Sequence, residues 1–143
     1  MNVREWQALR RLVHEDFYND LITTADCGAF DGGCVVVAEA LQRVIGGEIV
    51  VLVREDESAD HAAVLCQGKL WDYNGPMLPR QFIARFNRAE RANTVGYRPI
   101  QDEDLREAYR DEELAARLVE KFRAMLEEKN VNGESCSVSP AFR

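Results

Sequence analysis

Apolar residues recur at steps of three and four through residues 3–17: Val3, Trp6, Leu9, Val13 and Phe17, with Arg4, Glu5, Arg10 and Arg11 largely off that stripe. The spacing predicts an amphipathic helix. The period is lost over 18–33, where Asn, Asp, Thr and Gly gather and a loop is expected. From Cys34 to about Ile45 a second helix is predicted. Its early turns, Val35 to Ala38, are apolar nearly all round, as in a helix buried on more than one side. Gly46-Gly47 ends it, since glycine takes the left-handed C-terminal position at low cost.

Strand-like patterns follow. EIVVLVR (48–54) is a β-branched run, REDESAD (54–60) a charged turn, and HAAVLCQ (61–67) a strand apolar on both faces, as expected of a central one. Gln67-Gly68-Lys69 holds a turn, LWDYN (70–74) alternates as a third strand, and Asn74-Gly75-Pro76 ends it. Phe82, Ile83 and Phe86 among arginines predict a short helix within 78–93, and Val95 to Ile100 a last strand. One long helix is expected from Asp102 to about Glu128, with Leu105, Tyr109, Leu114, Leu118, Phe122 and Met125 at helical spacing. The order predicts an α+β fold, a small antiparallel sheet packed on a central helix with helices flanking it at both ends. Residues 1–130 form the single expected domain, and 131–143 a flexible polar tail.

Composition narrows the function classes. A chain of 143 residues, 46% hydrophobic and 30% charged, can bury a core of its own. A net charge of −7 argues against partners bound by neutralising phosphates, so neither a nucleic acid nor an anionic membrane is expected. No run approaches the roughly 20 apolar residues of a membrane span. The first residues lack the apolar stretch of a signal peptide, which makes the cytoplasm the expected location. Reduced thiols are then expected at Cys27, Cys34, Cys66 and Cys136.

Three residues carry candidate chemistry. Cys34 opens the buried helix after Gly32-Gly33, His61 opens the central strand, and Asp72 lies on the next strand. A helix N-terminus favours the thiolate, which is the reactive form of cysteine. A histidine can take the thiol proton, and a third group can orient the histidine through its other ring nitrogen. Gly32 and Gly33 would let the chain turn into the helix and leave room at the sulfur, where the Cys34 amide could meet an oxyanion. If Gln67-Gly68 forms the turn, His61 lies opposite Asn74, and Asp72 lies diagonally, at roughly 7–8 Å between Cα atoms. Asn74 is therefore a rival orienting residue, although the charge of Asp72 suits imidazolium better. A bulge would bring Asp72 closer, and residues 19–31 and those after Gly75 are the expected cleft walls. Cys27, in DCGA, is a weaker candidate nucleophile because Asp31 and two glycines interrupt any helix after it. Cys66 faces away from His61 and reads as core. No short-spaced ligand pair suggests a metal, and no phosphate loop or other cofactor motif is present.

GGC opening a helix, HAAV on a strand and WDYNG on the following strand resemble the papain-like and transglutaminase-like superfamily of cysteine enzymes, on the scale of a small bacterial or phage-type member. The resemblance covers about residues 27–76. It implies a papain-like core in which Cys34 is the nucleophile, His61 the general base and Asp72 the orienting acid. The implied activity is a thiol hydrolase or acyl transferase, working through an acyl-enzyme on an amide, isopeptide or thioester carbonyl of a peptide or protein substrate. Gly28 stands where the papain type carries a glutamine, six residues before the cysteine, so that side-chain oxyanion donor has no counterpart. The alternative is a catalytically inactive binding or inhibitor protein on the same fold. No oligomeric state is implied.

Overall fold

A computed structural model describes residues 33–129. The helix expected over 3–17, the loop before Gly33, Cys27, Gly32, Cys136 and the expected tail lie outside them. The described elements run α1 (Cys34–Ile45), β1 (Glu48–Val53), β2 (Ala59–Cys66), β3 (Lys69–Asp72), β4 (Gly75–Met77), α2 (Pro79–Glu90), β5 (Gly96–Pro99), α3 (Asp102–Glu107) and α4 (Glu112–Lys129). The fold is α+β, with a five-stranded antiparallel sheet in the order β4-β3-β2-β1-β5.

β2 is central, as its two-faced apolar pattern predicts. Ala62, Val64 and Cys66 face α1, while Ala63 and Leu65 face α2. α1 is enclosed between the sheet and α4, whose Leu114, Leu118 and Phe122 close over it. Val36, Ala40, Leu41 and Ile45 are all fully buried, so truncating Leu41 to Ala would cost about 2–5 kcal/mol. On the other face Val50, Leu52, Ala63 and Leu70 pack against Phe82 and Phe86 of α2, one helical turn apart. The central helix is thus held from both sides, and its N-terminus is fixed in space by the core.

The connections explain the registers. Gly47 joins α1 to β1 at φ +85°, where an added Cβ would lie 2.4 Å from the Leu65 carbonyl oxygen. Gln67 and Gly68, both at positive φ, form the two-residue turn between β2 and β3, so Cys66 pairs with Lys69. Tyr73 and Asn74 form a second tight turn into β4, a strand that the sequence pattern does not predict because it is only three residues long and contains Pro76. On the β1 side, Leu52 pairs with His61 but Val53 pairs with Ala59. Asp60 is the extra residue of a bulge where β2 enters the ladder.

The long helix expected from Asp102 is two helices. Ala108 is extended (ψ 148°) and ends α3. Asp111 then caps α4, its Oδ1 accepting from the Leu114 N–H at 3.0 Å. An acidic cap supplied the stop signal inside an otherwise continuous helical period. Among the described residues, no helix is long and apolar enough to cross a membrane.

Candidate active site

Cys34 is the first residue of α1, after Gly33. Gly33 lies at φ −86°, ψ 2°, a conformation open to other residues, and its carbonyl accepts from the Val37 N–H. Its φ does not require glycine, but Gly33 is buried, so a side chain there would compete for space. The Cys34 side chain is half-buried and its thiol is free. Cys66 differs from its expectation. It packs in the core on the α1 side, but it is disulfide-bonded. Sequence spacing does not reveal which sulfurs meet in space. The bond corrects the reduced-thiol expectation at Cys66, whereas Cys34 is free as expected.

His61 is 3% exposed and Asp72 4%, so neither relies on solvent to satisfy its polar atoms. His61 Nε2 and Asp72 Oδ2 lie 3.0 Å apart. The His61 ring stacks on Phe86, with centroids 4.7 Å apart and planes 22° apart, and more distantly on Phe82. Asp72 Oδ1 accepts from the Asn74 backbone N–H at 2.7 Å, and Arg85 approaches it at 3.4 Å. Asn74 therefore supports Asp72 through its main chain, as a turn residue would, and it is Asp72 that meets the imidazole.

The β2–β3 ladder stops at Val64↔Trp71, before it reaches His61. Beyond that point β2 brings the His61 ring and the Ala62 amide near enough to act on the charge of the Cys34 thiol, as does the Val35 amide of α1. Burial raises the thiol pKa, but hydrogen bonding to and attraction by His61, with these two amides, bring it below the ordinary thiol value. Burial likewise opposes charge on His61, yet its hydrogen bonds to Asp72 and Cys34 push its pKa up to about 9. Both shifts act in the same direction, toward a thiolate beside an imidazolium.

A cleft of about 480 Å³ opens at Cys34 and His61. Its walls are the turn around Asp56 to Asp60 and the chain from Arg98 to α3. Those walls differ from the expected segment after Gly75, which instead forms α2 and covers the opposite side of His61 and Asp72.

No family model, curated protein or solved structure matches this chain.

The structure brings Cys34, His61 and Asp72 into one connected group. Sequence reasoning missed Arg85, Phe82 and Phe86. Their spacing of three and four residues was the available signal, since it places all three on one face of α2. Arg85 spans this group, lying 5.3 Å over the Phe82 ring while its guanidinium approaches Asp72. Among the described residues, no group of His, Cys, Asp and Glu could hold a metal ion.

Proposed function

We propose that this protein is a thiol hydrolase or acyl transferase with a papain-like core, acting on an amide, isopeptide or thioester carbonyl. The observation that carries the reading is the 3.0 Å contact of Asp72 with the His61 ring, which in turn lowers the pKa of the Cys34 thiol, at the edge of an open cleft. A cysteine on a helix N-terminus, a histidine on a strand and an aspartate on the adjacent strand occur in the order of that superfamily.

In this mechanism the Cys34 thiolate attacks the carbonyl carbon and a C–S bond forms. The developing oxyanion is taken by the Cys34 backbone amide, where no glutamine side chain is available. Nε2 is engaged by Asp72, so the proton exchange runs through Nδ1 of His61. Imidazolium gives its proton to the leaving amine or thiolate as the scissile bond breaks, leaving a thioester on Cys34. Neutral His61 then takes a proton from water or an acceptor amine, which attacks the thioester and releases Cys34 as thiolate. Asp72 holds the ring and stabilises its charged form throughout. These steps require no cofactor.

Alkylation with iodoacetamide, read cysteine by cysteine by mass spectrometry, tests the proposal. Cys34 should react fastest at pH 7, and His61→Ala should slow it by about tenfold or more. Slow reaction at Cys34, indifferent to His61, would sink the enzyme reading and favour an inactive binding or inhibitor protein.

A further inference from the structure

The walls of the cleft carry unusual charge. Six of its sixteen lining residues are Asp or Glu, against 25 of 143 in the whole chain, so the acidity of the cleft exceeds the general acidity of the protein. The six are Asp56 and Glu57 on the turn before β2, Asp60 at the bulge that opens β2, and Glu103, Asp104 and Glu107 on α3.

Among the described residues, the two cations at the cleft, Arg98 and Arg54, are already engaged. Arg98 is the one guanidinium among the lining residues, and both its terminal nitrogens bind Asp104, at 2.7 and 3.2 Å. It also donates to the Glu57 carbonyl, which ties the two walls together. Arg54 is held by Asp60 at 2.8 Å. Asp56 accepts from the hydroxyl and amide of Ser58. Glu57, Glu103 and Glu107 remain exposed, with no direct ion pair among the described residues.

Three carboxylates without a direct ion pair among the described residues, in a concave wall beside a nucleophile, focus a negative potential on whatever enters. Among the described lining residues, no guanidinium is left over to receive a substrate carboxylate. We propose that the cleft selects a substrate carrying positive charge, an alkylammonium or guanidinium, next to the carbonyl that Cys34 attacks. The proposal rests on the reading of Cys34 as nucleophile. It narrows the substrate to basic peptides or proteins, or to acyl groups transferred near an amine.

Charged thiol reagents test it without a known substrate. The trimethylammonioethyl, sulfonatoethyl and methyl methanethiosulfonates each form a mixed disulfide with a thiolate and release methanesulfinate. Rates at Cys34 would be read by peptide mass spectrometry, each divided by the rate for free N-acetylcysteine. The cationic reagent should exceed the anionic one by about tenfold at low ionic strength. The ratio should fall toward one at 1 M salt, where the Debye length is about 3 Å. The triple substitution Glu57→Gln, Glu103→Gln, Glu107→Gln should shrink it. The salt series on the unaltered protein needs no variant to fold. Equal normalised rates, an anionic preference, or a ratio untouched by both salt and the triple substitution would overturn the proposal. Failure of the enzyme reading looks different: methyl methanethiosulfonate would show no privileged Cys34 and no dependence on His61.

Discussion

Asp72 reaches His61 across a register diagonal. The hairpin pairs Leu65 with Leu70 and Val64 with Trp71, so the continued ladder would set Asp72 opposite Ala63, two residues beyond His61. The carboxylate nevertheless comes within 3.0 Å of Nε2. The diagonal is bridged by the two side chains, with the imidazole braced on Phe86 and the carboxylate held by the Asn74 amide. No bulge in this hairpin is needed. The bulge lies on the other side of β2, at Asp60.

Replacing Asp72 by Asn keeps the size of the side chain and removes its charge. The His61 pKa should fall from about 9, and the Cys34 thiolate should lose part of its stabilisation. Alkylation of Cys34 at pH 7 should slow by roughly 10–100-fold. An unchanged pH profile would show that Asp72 does not act on the pair.

The two shifts set the pH range of the unaltered protein. The thiolate forms as pH rises through the lowered Cys34 pKa, and imidazolium persists until about pH 9. Alkylation should therefore rise at lower pH than an ordinary thiol allows and level off before about pH 9. Turnover of an amide substrate, which also requires the imidazolium proton, should decline above about pH 9. A single rise in alkylation near the ordinary thiol value would contradict the ion pair.

Arg85 predicts an effect of opposite sign. Its guanidinium, 3.4 Å from Asp72, competes with His61 for the carboxylate's charge. Arg85→Met should raise the His61 pKa and move the alkaline limb upward. Arg85 is partly exposed and screened, so roughly half a pH unit is expected. A downward shift would mean that Arg85 acts chiefly by holding Asp72 in place.

Gly47→Ala serves as a structural control. The added Cβ would collide with the Leu65 carbonyl at a positive φ, and the cost should be about 2 kcal/mol or more, seen as a lower urea midpoint. Where the protein remains folded, the pH profile of Cys34 alkylation should be preserved.

Much of this fold is legible in local pattern. The apolar girth of α1, the β-branched β1, the two-faced β2 and the Gln67-Gly68 turn all follow from side-chain period and turn chemistry. The α3–α4 break depends on one capping aspartate inside a continuous period, and β4 is too short to show a period at all. At the site, residue type and order pick out Cys34, His61 and Asp72. They cannot decide between Asp72 and Asn74, because that choice depends on how far a side chain reaches across the ladder. Arg85 and the cleft walls are set by which elements pack together, and no spacing within one element encodes that.

The enclosure of α1 separates two fates for this molecule. The sulfur's position is set by side chains such as Leu41 and Leu118, fully buried in the cluster around α1. The Asp56–Asp60 turn and the exposed glutamates of α3 lie outside both hydrophobic clusters. Selection could rewrite those rims to accept new molecules while the chemistry stayed fixed. Conversely, a repacked interior could silence Cys34 without touching a single residue that a substrate meets.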